Sequence, residues 1–277
     1  MNKSFLKWAG GKFSLLPTLI PIVQSCTGKG GRYIEPFVGG GALALNIPSG
    51  LPKVINDTNP GVVAVWQTLQ DRGADFIEDV NPYFRGENTE KAFYTIRNTF
   101  NRSLKDNGDV RLRAMYFLYL NRHCFNGLCR FNKKGEFNVP YGRYKSIYFP
   151  EKELLHAIEV MKNTQIHQND FRAVMATATQ GDVVYCDPPY IPLGVTSSFV
   201  GYSKEGFGID DQMDLMLLAE AARNRGATVI ISNNDVPLAR KLYDGASEIH
   251  SVQVAKRISC KGDGRKKSGE IIAVYRP

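Results

Sequence analysis

The sequence predicts an α/β protein with a Rossmann-like sheet of seven strands, interrupted by a helical insertion that ends in a β-hairpin. Three observations predict this. Short apolar runs alternate with helical periodicity toward both ends of the chain. Between about 60 and 122 the periodicity is helical throughout. The stretch Asp187-Pro188-Pro189-Tyr190 follows the apolar run 183–186 and stops it, because proline cannot continue a ladder. That fixes a carboxylate, two ring-stiffened carbonyls and an aromatic face at a strand end, where open α/β sheets bind ligands. Alone, such a stretch is more often a rigid turn capped by its acid.

Composition narrows the class. The 277 residues are 43% hydrophobic, ample for a core, and no run approaches the roughly 18 apolar residues of a membrane span. The N-terminus lacks the apolar centre of a signal peptide. Five scattered cysteines without a C-x-x-C pair point to reduced thiols in a cytoplasmic protein and against a zinc module. The four histidines form no H-E-x-x-H pattern, so no metal is expected. Charge is uneven: residues 85–145 hold 13 Lys+Arg against 5 Asp+Glu, which accounts for the whole net charge of +8. A basic segment interleaved with Phe, Tyr and Asn points to a polyanionic partner, most simply nucleic acid. A solvated basic face without a partner is the plainer alternative.

In chain order, Gly10-Gly11-Lys12 looks like a phosphate loop, but that pattern needs Ser or Thr next, and Phe13 stands there. Residues 13–23 read as a short helix interrupted by Pro17 and Pro21. Residues 32–37 read as a strand running into Gly39-Gly40-Gly41, with Leu43-Ala44-Leu45 starting a helix. That arrangement lets a ligand approach the backbone closely. A second strand, 53–57, ends in Asp57, eighteen residues after Gly39, a spacing suited to ribose hydroxyls. The alternative is that Asp57 only caps the next helix.

Apolar spacing predicts one or two helices from Val62 to Val80, another through Phe93 and Phe100, and a third from Leu112 to Tyr119. Turn signals at Asn126-Gly127 and Lys133-Lys134-Gly135 then predict a hairpin of 130–132 with 136–138. Exposed aromatics and arginine there suit a DNA groove: Phe125 is placed to wedge between bases and Asn126 to replace a displaced partner. A loop packed by its own aromatics is the alternative. A helix over 151–161 and a short strand, 165–167, follow. Residues 191–208, with Phe199, Tyr202 and Phe207, have the composition of an active-site lid. A helix from Asp210 to Arg225, a strand over 227–231, and an antiparallel pair over 248–256 and 270–275, joined by the basic loop 261–267, complete the chain. The pair is expected at the sheet edge.

The runs FLKWAGGK (5–12), EPFVGGG (35–41), NGLCRFN (126–132), GEFNVPYGRY (135–144) and DPPY (187–190), in this order, resemble the Dam-type DNA adenine-N6 methyltransferases, which methylate GATC with S-adenosylmethionine. The resemblance spans nearly the whole chain. It implies a methyltransferase sheet from 1–58 and 145–277, and a DNA-recognition domain over 59–144. It implies that Trp8, Lys12, Phe37, Gly39, Gly41, Asp57 and, less securely, Asp170 and Phe171 border S-adenosylmethionine, with Asp57 on the ribose. Asp187, Pro188, Pro189 and Tyr190 would face the target amino group, and Asp187 the cofactor as well. Lys7, Phe125, Asn126, Leu128, Arg130, Pro140 and Arg143 would meet double-stranded DNA. Lys7 and Arg130 would read guanines, and Arg143 would hold a phosphate. Phe125 stands where the family often has a tyrosine, so the stacking face is kept and the hydroxyl lost. No obligate protein partner is implied. A catalytically inactive DNA-binding module and an RNA amino-group methyltransferase remain as alternatives.

Overall fold

The computed structural model describes residues 1–86, 88–106, 108–193, 206–255 and 267–277. Most of the expected lid, with Phe199 and Tyr202, lies outside the described residues, as do the basic loop 261–266 and Cys260. The chain forms two compact units. The first takes in residues 1–13, 39–50 and 57–168, and the second residues 14–38, 51–56 and 169–277. The expected insertion 59–144 falls wholly in the first unit, together with the N-terminal residues, the glycine segment and residues 145–168.

The seven expected strands are present: β1 (Tyr33–Glu35), β2 (Lys53–Asn56), β3 (Thr164–His167), β4 (Val183–Cys186), β5 (Thr228–Asn234), β6 (Glu248–Ala255) and β7 (Lys267–Tyr275). They form one sheet in the order β3-β2-β1-β4-β5-β7-β6. β1 runs parallel to β2 and β4, and β4 parallel to β5. β7 is antiparallel to both β5 and β6. The returning strand of the last pair therefore enters the sheet, and its partner β6 is the edge. β1, β2 and β4 are buried along their whole length, as a parallel sheet covered on both faces demands.

The helices, in order, are α1 (Leu16–Cys26), α2 (Pro60–Arg72), α3 (Ala74–Arg85), α4 (Glu90–Lys105), α5 (Val110–His123), α6 (Glu151–Met161), α7 (Phe171–Met175), α8 (Ile209–Asn224) and α9 (Pro237–Leu242). Two expectations fail locally. α1 is not interrupted by its prolines. Pro17 sits in the first turn, where no intrahelical N–H bond is lost, and Pro21 lies on the exposed side while Leu16, Leu19 and Val23 are buried. After the glycine turn there is no α-helix, only one 3-10 turn at Ala44–Asn46, which Pro48 and Gly50 follow.

In the first unit α5 is central and packs against α2, α3 and α4. It is buried almost all round, from Ala114 to His123, as the central helix of its unit must be. In the second unit Ile34, Val184, Val229, Ile231, Ile271 and Ala273 form a core with Leu215, Ala219 and Ala222 of α8. Asp182, buried just before β4, accepts from the Arg32 backbone and guanidinium and from Thr179 N–H. Burial opposes its charge, but these hydrogen bonds outweigh that and hold its carboxyl below the usual carboxylate range.

Candidate functional site

The glycine segment in the first unit is shaped by one acid and two tryptophans. Gly39 has φ +46° and donates its N–H to Asp57 Oδ2 at 2.9 Å. Its carbonyl accepts from Trp66 Nε1 at 3.3 Å. A Cβ on Gly39 would lie 2.4 Å from Trp8 Nε1, so both the backbone conformation and the indole exclude any side chain. Asp57 Oδ1 accepts from Asn59 N–H at 2.8 Å. Burial pushes the Asp57 carboxyl up, although hydrogen bonds from Asn59, Gly39 and Thr58 pull it back. Asp57 is thus not the cap of α2; that role belongs to Asn59, whose Oδ1 accepts from Gly61 and Val62 N–H. Lys12 is buried and donates to the Gly10 carbonyl, and Gly41 has φ +65°.

The basic segment after α5 lies in the same unit. Asn121, at the end of α5, accepts from Lys7 N–H and donates to the Lys7 carbonyl, both at 2.8 Å. The Lys7 side chain runs over Gly127, where a Cβ would come within 2.4 Å of it, and its ammonium lies 4.5 Å from the centre of the Tyr144 ring. Burial and then the neighbouring Arg122 lower the Lys7 pKa. Lys7 and the 3-10 turn Phe125–Gly127 are therefore adjacent, although they lie far apart in sequence. Phe125 and Asn126 are exposed, and Asn126 is left-handed at φ +53°. Phe125 N–H donates to the Pro140 carbonyl, and Cys124 bridges Tyr141.

The expected hairpin of 130–132 with 136–138 exists, though only as an isolated bridge, Phe131 to Phe137, flanked by two backbone hydrogen bonds. Its aromatics are not exposed, contrary to the expectation from sequence. Phe137 is buried against Phe100, and Phe131 is half-buried beside both. The polar members face out: Arg130 is exposed and donates Nε to Asn138 Oδ1, and Arg143 is exposed at φ +52° with a 3.4 Å pair to Glu90. Leu128 is half-buried and Pro140 exposed.

In the second unit Asp187 follows the last residue of β4 directly. Pro188 is buried, Pro189 exposed, and the Tyr190 hydroxyl donates to Glu270 Oε2 at 2.9 Å. Burial and the Asp187 charge push the Tyr190 phenol well up, so it stays protonated. Asn56, at the end of β2, holds two other strand ends: its Nδ2 donates to the Pro36 and Asn169 carbonyls, both at 2.9 Å. Phe37 and Phe171, just after the two bonded residues, form a triangle with Phe207, with ring centres 5.2 to 5.5 Å apart. Phe207, expected from sequence to be an exposed lid residue, is packed instead. Asp170 is exposed, caps α7 through Arg172 N–H and pairs with the Arg172 guanidinium. Asn56, Asn121, Gln212, Asn233 and Glu270 were missed. The signal for Asn233 and Asn234 was present, since two amides follow the apolar run 229–231 and Ser232 within one buried strand.

A model of the D12 class N6 adenine-specific DNA methyltransferase family matches residues 8–258. The DNA adenine methylase of Escherichia coli K12 is 40% identical over all of this chain and 96% of its own length. That of Serratia marcescens is 41% identical over 99% of each chain. The DNA N-6-adenine-methyltransferase of Escherichia phage P1 is 39% identical over 99% of this chain and 35% of its own length. By this match over residues 8–258 and by its likeness to these relatives over its full length, the chain belongs to the D12 class N6 adenine-specific DNA methyltransferase family.

Proposed function

We propose that the protein transfers a methyl group from S-adenosylmethionine to N6 of adenine in double-stranded DNA, with GATC as its target. The observation that carries this is the Asp187–Tyr190 turn: a carboxylate and proline carbonyls held immediately beyond a buried strand. An amino group on adenine is a weak nucleophile because its lone pair is delocalised into the ring. It is also inaccessible inside a duplex, so the base must leave the stack. Asp187 and the Pro188 carbonyl accept its two hydrogens, which concentrates electron density on nitrogen. Tyr190 stacks on the ring, held by its bond to Glu270. Orienting the reactants supplies much of the acceleration. The proton leaves after transfer, so Asp187 need not be a strong base.

The glycine segment fits a nucleoside cofactor, because Asp57, fixed by the Gly39 and Asn59 N–H groups, retains acceptor lone pairs for ribose hydroxyls. Trp8, Lys12, Gly41 and Asp57 are assigned to holding it. When bound, S-adenosylmethionine supplies an electrophilic methyl group. Phe37 and Phe171, with Asp170 nearby in sequence, are assigned to its adenine. Residues 59–144 are assigned to target recognition: Phe125 as the wedge, Asn126 as the stand-in for the displaced base, Arg130 and Lys7 on guanines, Leu128 and Pro140 on neighbouring bases, and Arg143 on a phosphate.

The test is labelled methyl transfer to a GATC duplex and to its GTAC permutation, followed by digestion to nucleosides. Label in N6-methyladenine from GATC alone is expected. DNA binding without transfer would indicate an inactive binding module, and preferential labelling of RNA would indicate an RNA enzyme.

A further inference from the structure

β4 stops at Cys186, but β5 runs on to Asn234, still paired with β7 through Asn233↔Ile271 and Asn234↔Glu270. On its other side the end of β5 has lost its ladder partner, because Pro188 and Pro189 have no N–H to donate. Side chains replace the ladder there. Asn233 Oδ1 accepts from Ile191 N–H at 2.9 Å, and Asn234 Nδ2 donates to the Ile191 carbonyl at 2.7 Å. Gln212, from α8, donates Nε2 to the Pro189 carbonyl at 2.8 Å.

These amides are themselves fixed. Asn233 Nδ2 donates to Gln212 Oε1 at 3.1 Å and to the Tyr243 hydroxyl at 3.0 Å, and that hydroxyl donates to Gln212 Oε1 at 2.9 Å. The three side chains close a ring of hydrogen bonds in which no amide can flip without losing several partners at once. Gln212 is 3% exposed, and Asn233 and Tyr243 are 0%. None of them is one of the motif residues. Yet their outward bonds reach the main chain on both sides of Tyr190, at Pro189 and Ile191.

We infer that Gln212, Asn233 and Tyr243 form a positioning unit that sets the main-chain course of the Asp187–Tyr190 turn, with Gln212 its contact to Pro189. The inference rests on the proposed catalytic reading of that turn. The unit touches no substrate; it replaces the ladder bonds that the two prolines forfeit. Its effect therefore falls on turnover rather than on DNA or cofactor binding.

Gln212→Glu tests this through pH. Ionised, the introduced carboxylate has no proton for the Pro189 carbonyl and faces it with a charge; protonated, the carboxylic acid donates as glutamine does. Relative to wild type on a GATC duplex, kcat should fall about 10- to 100-fold above the introduced carboxyl's titration, which burial raises, and recover as pH falls through it, with KM for DNA and for S-adenosylmethionine within about twofold. Gln212→Met should lose rate at every pH. Tyr243→Phe, which keeps the ring in the core, should lose a smaller factor. Hydrogen exchange at Ile191 N–H, which donates to Asn233 Oδ1, should be faster in all three variants than in the wild type while β4 stays protected. Wild-type kcat in Gln212→Met, a pH-independent ratio for Gln212→Glu, or unchanged Ile191 exchange would overturn the inference. A wild-type protein without methyl transfer would refute the functional reading instead, and the exchange result would still decide the positioning.

Discussion

The turn at 187–190 and the hairpin at 130–138 are both braced by side-chain amides, but they differ in what they leave exposed. At the turn, buried amides from α8 and β5 fix the main chain, and Glu270 fixes the Tyr190 hydroxyl. At the hairpin the backbone is held at Phe137, by its bridge to Phe131 and by the Asn101 amide, which bonds both its N–H and its carbonyl, while Arg130 and Arg143 stand exposed with only exposed or half-exposed partners. Methyl transfer requires reacting atoms placed within fractions of an ångström. Reading a groove requires reach, and a reader whose polar groups are already buried has nothing to offer a base. Both regions use polar and aromatic side chains, and burial is what distinguishes the proposed site of chemistry from the proposed site of reading.

The largest effect that can break this contrast is Asp187→Ala. Methyl transfer should fall to background, with the thermal midpoint and DNA affinity nearly unchanged; substantial turnover in the variant would remove Asp187 from the chemistry.

Next is pH. His123, buried at the end of α5 against Tyr119, has its pKa lowered from 6.5 to about 4, by burial foremost and by Lys7 in small part. The unfolded chain binds this proton more readily, so the contribution is complete above about pH 6.5 and is lost as pH falls from 6.5 to 4. It amounts to at most about 3 kcal/mol. Asp182 in the second unit has a lowered pKa, so its contribution holds above the ordinary Asp value and is lost only as pH falls through that depressed value. Acid should therefore loosen the first unit before the second, as read by hydrogen exchange in each. His123→Phe should flatten the first unit's response between pH 6.5 and 4, and an unchanged response would show that another group dominates.

Arg130→Ala should come next, costing ~1–3 kcal/mol of discrimination at one guanine; an equal loss on every sequence would mark a phosphate contact instead. Smallest is Arg143→Gly. It relieves a left-handed arginine, which should raise stability by up to about 1 kcal/mol, while DNA affinity falls; a chemical denaturation curve beside a DNA titration reads both.

Much of this was legible in the sequence because each element carried a local signal. The strands showed apolar runs, Asp-Pro-Pro-Tyr showed a stop, and the Lys133-Lys134-Gly135 turn showed a hairpin. What was not legible was long-range. Nothing near Lys7 announces Asn121, and nothing near Pro189 announces Gln212, since a side chain bonding to a distant main chain leaves no periodicity. The helix expected after Gly41 failed for a local reason: Pro48 and Gly50 leave too few residues for more than one turn. The burial of Phe137 and the packing of the half-buried Phe207 were misread because aromatic residues among polar ones look exposed until the surface they pack on is known.

The measurement that tests the separation of chemistry from reading most directly is a side-by-side single-turnover assay on a GATC duplex and on a duplex altered at one guanine. Wild type, Asp187→Asn and Arg130→Ala are compared. Asp187→Asn should slow both duplexes by the same factor and leave their ratio intact. Arg130→Ala should shrink the ratio by about 5- to 150-fold. A changed ratio in Asp187→Asn, or an unchanged one in Arg130→Ala, would contradict the assignment of chemistry to the braced turn and of sequence reading to the exposed hairpin.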